Sequence, residues 1–281
     1  MESLRPLLTT YAYNILGSWD EAKDVVQDTF LKFMQMDGEG IEDKKAYLVR
    51  TVINLSINQK KRQKKLIATY PGEWLPEPVA TEKADSAIIG KEVLSYSLMV
   101  LLEKLNARQR AVFILKEAFD YEHEEIAEVL GLTVENSRKI LSRAKSQLRL
   151  SSDHLLSDRR GLTTDYLDKY LNVIRSGDTA RLEQLLAADI TVTSDGGGKA
   201  TAFRNPVHGK KNVGALLLGV FKKFYHGVRI DKGSVNHQPA LFYYDGDKLV
   251  TCQVFSILNG QVDHVFFIRN PDKLKLLENN S

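Results

Sequence analysis

The stretch from Ala118 to Arg149, AFDYEHEEIAEVLGLTVENSRKILSRAKSQLR, restricts the possible folds more than any other part of the chain. Ile126, Ala127 and Leu130 give one short helix an apolar stripe. Val134, Ser137, Leu141, Ala144 and Leu148 recur at spacings of three and four, so a second helix buries one face. Gly131 lies between them and can take a positive φ at little cost. Thr133 is a good N-cap, and Glu135 in the first turn suits the helix dipole. The first helix is acidic (Asp120, Glu122, Glu124, Glu125, Glu128) and the second basic (Arg138, Lys139, Arg143, Lys145, Arg149). This is the pattern of a helix-turn-helix, whose second helix can lie in the DNA major groove. The alternative is a plain helical hairpin with a solvated basic face.

At 281 residues the chain is long enough for two or three domains. A net charge of +3 says less than where the charges fall. Cys252 is the single cysteine, which excludes an intrachain disulfide framework and fits a reducing compartment. It sits in an apolar, strand-like run and reads as a buried, inert thiol. The N-terminal MESLRPLLTTYAY lacks a signal-peptide pattern, and no apolar run approaches a membrane span. A cytoplasmic protein without a membrane partner is expected.

Residues 1–65 read as all-helical. Leu4, Leu7, Leu8, Tyr11, Ile15 and Leu16 form one stripe, broken at Gly17 and Ser18. A second helix runs through EAKDVVQDTFLKFMQ, with Asp24, Gln27, Asp28 and Lys32 on its polar face. The third spans about Asp43 to Lys65. From Lys44 to Lys65 it carries eight basic residues and no acidic one, with Asn54, Ser56, Asn58 and Gln59 among them. Such one-sided charge is an electrostatic footprint for phosphates, and the amides can read bases. A solvated charged face is the bland alternative.

Residues 66–90 form a linker, because three prolines and a glycine rule out one continuous helix. Trp74 and Leu75 between prolines point to a segment held extended against a surface. Residues 91–150 form a second helical unit in which Asn106 caps a helix, and 151–161 is a polar connector. From 162 to 281, two helices, a strand, an apolar helix (NVGALLLGVFKKFY) and alternating apolar runs predict an α+β domain. Its expected form is a cone with a curved antiparallel sheet.

With these segments in order, the chain resembles the extracytoplasmic-function group of sigma-70 factors, and within it the subgroup with a SnoaL-like C-terminal extension. EAKDVVQDTFLKF is similar to the family's core-polymerase-binding helix, and AYLVRTVINLSINQKKRQKK to its promoter −10 helix. EKLNARQRAVFILKEAFDYEHEEIAEVLGLTVENSRKILSRAKSQLR is similar to its −35-binding domain. Three motifs mark the subgroup: Trp74–Pro78 (WLPEP), Asp195–Lys199 (DGGGK) and Asn270–Leu274 (NPDKL). Asn58 stands where the family often has Asp, and lysines replace several arginines, giving point charges rather than bidentate forks.

The resemblance implies a sigma factor directing promoter-specific initiation, with two all-α sigma domains followed by the α+β domain. Asp24, Gln27, Asp28 and Phe30 would dock on RNA polymerase core. Asn54, Asn58, Lys61 and Arg62 would meet the −10 element, and Glu135, Asn136, Arg138, Lys139 and Arg143 the −35 element. No catalytic residue, metal or cofactor is implied. The cone's mouth is a place for a small-molecule ligand, and Asp195, His208, His226, Asp263 and His264 are the polar groups a weakly enzymatic cone would use. A helix-turn-helix regulator with such a ligand-sensing or enzymatic domain is the alternative. The expected regulatory contact joins the glycine loop (Asp195, Gly196, Gly197, Gly198, Lys199) either to the linker (Trp74, Leu75, Pro76, Glu77, Pro78) or to the first sigma domain, setting their relative orientation. The last segment (Asn270, Pro271, Asp272, Lys273, Leu274) turns and packs back to close it.

Overall fold

Capping residues set the helix starts. Ser18 Oγ accepts from Glu21 N at the start of α2, Asp43 Oδ1 from Ala46 N at the start of α3, and Asn106 forms a capping box with Gln109. Each such cap is worth about 1 kcal/mol. The structure, a computed structural model, describes residues 2–36, 41–81, 92–148 and 164–278. Arg149, the connector expected at 151–161 and the linker residues 82–90 lie outside these. No described helix is long and apolar enough to cross a membrane.

The described helices of the first part are α1 (Arg5–Leu16), α2 (Trp19–Gln35), α3 (Lys44–Ile67), α4 (Tyr96–Leu101), α5 (Ala107–Glu117), α6 (His123–Leu130) and α7 (Val134–Leu148). Those of the second are α8 (Thr164–Ser176), α9 (Thr179–Leu185), β1 (Leu186–Asp195), β2 (Val207–His208), α10 (Lys210–Val220), β3 (Arg229–Val235), β4 (Gln238–Asp245), β5 (Lys248–Leu258), β6 (Gln261–Ile268) and α11 (Pro271–Glu278).

The chain divides into two units that do not follow the sequence boundaries. The first joins Met1–Thr69, Ala84–Leu94 and Leu98–Asp153, so the two expected sigma domains share one unit. The second joins Tyr70–Lys83, Ser95–Ser97 and His154–Ser281. The reason lies in side chains that periodicity does not weigh. Buried Arg110 and Lys60 tie the helices on either side of the linker together, whereas Leu75, Pro76, Pro78 and Val79 bury against the sheet.

In the first unit, Leu8, Ile15 and Leu16 of α1, Val26 of α2 and Leu48, Val52 and Ile53 of α3 are all fully buried, and α1 packs against both α2 and α3. Gly17 ends α1 in the left-handed conformation, its N–H bonded to Tyr13 O. Gly131 ends α6 the same way at φ 61°, which makes the tight turn into α7.

In the second unit the strand order is β2-β1-β6-β5-β4-β3. β1 and β6 pair in parallel, and every other neighbour pair is antiparallel. The fully antiparallel sheet expected from the sequence is corrected at that one junction. The long crossover through α10 and β3–β5 lets β6 return in the direction of β1. The α8–α10 side covers one face, where Leu167, Tyr170, Ile174, Leu217, Tyr243, Phe255 and Val265 build the core. The expected apolar helix ends at Val220. It widens into a π turn over Phe221–Tyr225 that leaves Phe224 44% exposed.

Candidate functional site

α7 presents Glu135, Asn136, Arg138, Lys139, Ser142 and Arg143 to solvent and buries Ser137, Leu141, Ala144 and Leu148. Thr133 Oγ1 accepts from Asn136 N, and His123 Nδ1 lies 2.9 Å from Ser137 Oγ, fixing the angle between α6 and α7. Arg138 pairs with Glu124 and Lys139 with Glu135, all exposed. Exposed pairs of this kind contribute about 0–1 kcal/mol, so a phosphate can displace either carboxylate.

On α3, Asn58, Lys61 and Arg62 are exposed. Asn54 is half-buried and donates to two backbone carbonyls. On α2, Asp24, Gln27 and Asp28 are exposed, but Phe30 is only 6% exposed, with the Arg5 guanidinium 4.9 Å from its ring centre. Phe30 therefore belongs to the core and not to a docking face. It shares the buried side of α2 with Ala22, Val25, Val26 and Phe33. The apolar groups α2 does expose are Leu31 and Met34, at 44% and 62%. They stand at i, i+3 on the polar side of the stripe.

The three short motifs meet at one carboxylate. Asp195 ends β1 and is fully buried. Its Oδ1 accepts from Tyr70 OH at 2.7 Å and from Gly197 N at 2.9 Å. Its Oδ2 accepts from Leu75 N at 2.9 Å and from Lys273 Nζ at 2.7 Å. Its carbonyl takes Arg269 N and Asn270 N. Lys273 also donates to Leu75 O and lies 4.1 Å from the centre of the Trp74 ring. Asn270 is buried, donates Nδ2 to Tyr70 OH at 2.9 Å and accepts Asp272 N at the start of α11. Burial, with the neighbouring Asp195 charge, raises the Tyr70 phenol well above its ordinary value, so it is a donor at every physiological pH.

The glycines of this loop have a steric reason. Gly197 and Gly198 hold φ of 61° and 70°. A Cβ on Gly197 would lie 2.3 Å from Asn270 Nδ2, and one on Gly198 would lie 2.8 Å from Pro71 Cγ. Lys199 pairs with Asp272 at the surface. Further along the linker, Pro76 O accepts Tyr96 OH, and Val79 exchanges two hydrogen bonds of 2.9 Å with Asn236. Gln238 accepts from Ser97 N and donates to Ser97 Oγ. The sequence offered no sign of Asn236, Gln238 or Tyr70 as partners, because their roles arise from strand ends distant in the chain. A cavity of about 380 Å³ opens beside this clasp, lined in part by Pro71, Gly72, Ser194, Phe203 and Arg204.

The polar groups expected at a cone mouth are not brought together. Asp195 is committed to the linker. His208 is exposed, with Nδ1 3.1 Å from Thr191 Oγ1, and His226 is exposed elsewhere. Asp263 Oδ2 lies 3.2 Å from His264 Nδ1, beside an irregularity in the β5–β6 pairing next to Ser256. Inside the cone, Tyr243 donates to Gln253, Gln253 to Tyr170, and Tyr225 pairs with Thr251.

Two sequence families match this chain: Sigma-70 region 2 over residues 1–66 and Sigma-70, region 4 over residues 95–148. The chain is 29% identical to the ECF RNA polymerase sigma factor SigJ of Mycobacterium tuberculosis, across 97% of this chain and 91% of that protein. It is also 29% identical to the ECF RNA polymerase sigma factor SigW of Bacillus subtilis, across 49% of this chain and 78% of that one. The crystal structure of the M. tuberculosis SigJ superposes with a TM-score of 0.78 at 27% identity, covering 98% of this chain and 96% of that one.

Proposed function

We infer the working of this chain from the premise that it belongs to the extracytoplasmic-function group of the sigma-70 family, with a SnoaL-like C-terminal domain. It is an RNA polymerase sigma factor: it binds core polymerase and promoter DNA and directs initiation at specific promoters. It works where the polymerase is, in the cytoplasm. The match of both sigma regions in order, within a likeness that runs from end to end, carries this reading.

The division of labour follows from chemistry. Asn136, Arg138, Lys139 and Arg143 on the exposed face of α7 serve the −35 element, with bases read near the helix start and phosphates held further on. Asn54, Asn58, Lys61 and Arg62 on α3 serve the −10 element, their amides bonding unstacked bases and their cations the backbone. Asp24, Gln27 and Asp28, with Leu31 and Met34 in place of Phe30, form the polymerase-docking face of α2.

The C-terminal domain regulates the sigma regions in cis by holding the linker that joins them. The observation supporting this is the single buried carboxylate of Asp195, which the linker residues Tyr70 and Leu75 and the terminal residue Lys273 all grip. A free linker lets two DNA modules search independently, whereas a clasped one fixes their effective concentration on the promoter. The test is in-vitro transcription with purified core and a promoter library, comparing the full chain with a chain truncated after Asn270 and with Asp195→Ala. The full chain should initiate at discrete promoters, and both variants should change the yield while leaving duplex binding by α7 in place. Equal yields from all three would remove the cis-regulatory role. Absence of initiation by any form, despite binding to core, would remove the sigma reading.

A further inference from the structure

Alternation along β1 calls for an apolar side chain at position 194. Ile190 and Val192 belong to the core, and Ser194 follows at the same two-residue spacing, in register with the core residue Phe267 of β6. Ser194 is 2% exposed, yet no described group meets its Oγ. A buried hydroxyl without a partner costs free energy, and native structures keep few of them.

Ser194 also lines the cavity of about 380 Å³ beside the clasp. The wall continues through Ala200, Ala202 and Phe203 to the exposed Arg204. It is a built wall. Phe203 stands edge-on to Phe267, with ring centres 6.2 Å apart and planes at 78°. Lys199 N and Ala200 N both donate to Gly196 O, at 2.9 and 3.0 Å, which fixes the turn that carries Ala200. Pro71 and Gly72 of the linker complete the lining. A Cβ on Gly72 would meet nothing within 4 Å, so the backbone there faces open space. The cone interior is a different place: its Tyr170, Tyr243 and Gln253 are buried, bonded in a chain, and take no part in this lining.

The chemistry of the lining selects a ligand class. The volume suits a small organic molecule. Among the described lining residues Arg204 is the one cation, and no carboxylate stands with it. Arg204 forms no ion pair among the described residues, so its fork of N–H donors is available to a carboxylate. One cation balances one negative charge. Phe203, Ala202 and Pro71 suit a hydrocarbon body, and the Ser194 hydroxyl at the buried end suits a polar group on it.

We propose that this cavity binds a small cyclic monocarboxylate that carries a hydroxyl at its far end, the carboxylate on Arg204 and the hydroxyl on Ser194. Pro71 and Gly72 lie between the clasp residues Tyr70 and Leu75, so a bound ligand adds to the hold on the linker. The site stands apart from the sigma reading, because it needs neither polymerase nor DNA.

The test is calorimetric titration of the full chain with para-hydroxybenzoate, with benzoate and with para-hydroxybenzamide. Para-hydroxybenzoate should bind once per chain, and each of the other two should bind more weakly. Arg204→Met should abolish the preference for the acid over the amide. Ser194→Ala should weaken para-hydroxybenzoate roughly threefold to tenfold and leave benzoate unchanged. The same variant, without ligand, should melt no lower than the wild type, because its hydroxyl has no partner to lose. Exchange of the Leu75 amide hydrogen, which bonds to Asp195, should slow on binding. Absence of binding by all three compounds, or binding that neither variant alters, overturns the site. A lower melting temperature for ligand-free Ser194→Ala overturns the unmet hydroxyl on which it is built. Binding with unchanged exchange at Leu75 overturns the added hold on the linker.

Discussion

Lys273 and Asp195 form an ion pair, 2.7 Å from Nζ to Oδ2, with side chains 7% and 0% exposed. The two residues are 78 apart in the chain, and the linker backbone at Leu75 bonds to both. Removing Asp195 leaves the ammonium buried without its counter-charge and strands three further donors. Asp195→Ala should destabilise the second unit by about 3–5 kcal/mol. Lys273→Met, which leaves the carboxylate with Tyr70, Leu75 and Gly197 as donors, should cost less. Calorimetric melting of the full chain and the two variants checks the order.

Gly197→Ala should be worse than Gly131→Ala, although both positions have positive φ. At Gly131 nothing lies within 4 Å of the added methyl, so only the left-handed backbone penalty of roughly 1–2 kcal/mol applies. At Gly197 the methyl would meet the Asn270 amide at 2.3 Å, and that amide is fixed by Tyr70. Denaturant midpoints that rank the two variants the other way would refute the account of the loop.

Lys60 gives the first unit a pH dependence of defined sign. Its folded-state value of about 7 lies below the ordinary lysine value, so the unfolded chain binds the extra proton between pH 7 and about 10. Stability therefore rises with pH across that window, by at most about 1.4 kcal/mol per pH unit, and is flat from this group below it. Urea titrations of the wild type and Lys60→Met at pH 6, 7, 8 and 9 should diverge only above pH 7.

Cys252 is fully buried in β5, and burial pushes its thiol far above the ordinary range. It should react with a thiol reagent only on unfolding. Labelling of the native chain at a rate near that of free cysteine would contradict the burial.

Arg143 stands exposed near the middle of α7. Arg143→Ala should weaken duplex binding similarly for all sequences and lower the slope of log affinity against log salt by about 1. Glu135→Gln, at the helix start, should instead alter sequence preference. Filter binding across a salt series separates the two.

Local periodicity and capping identify the helices from α1 to α7, because an apolar stripe at spacings of three and four and a cap three residues away are short-range properties. Gly131, Asn106 and Ser18 stand where their chemistry requires. The exposed polar face of α7 is legible for the same reason. What the sequence could not decide is partnership at a distance. Phe30 looked available but is buried, and Asn54 looked free to read bases but bonds to Val129. The linker residues from Tyr70 on group with the sheet and not with α1–α3. Each of these outcomes depends on which other surface of the folded chain offers a matching carbonyl, carboxylate or apolar wall. That complementarity exists only once the chain has folded back on itself. The sequence by itself determined the elements and the family. Tertiary structure alone decided which carboxylate all three motifs would share, because a buried charge takes its partners from space and not from order along the chain.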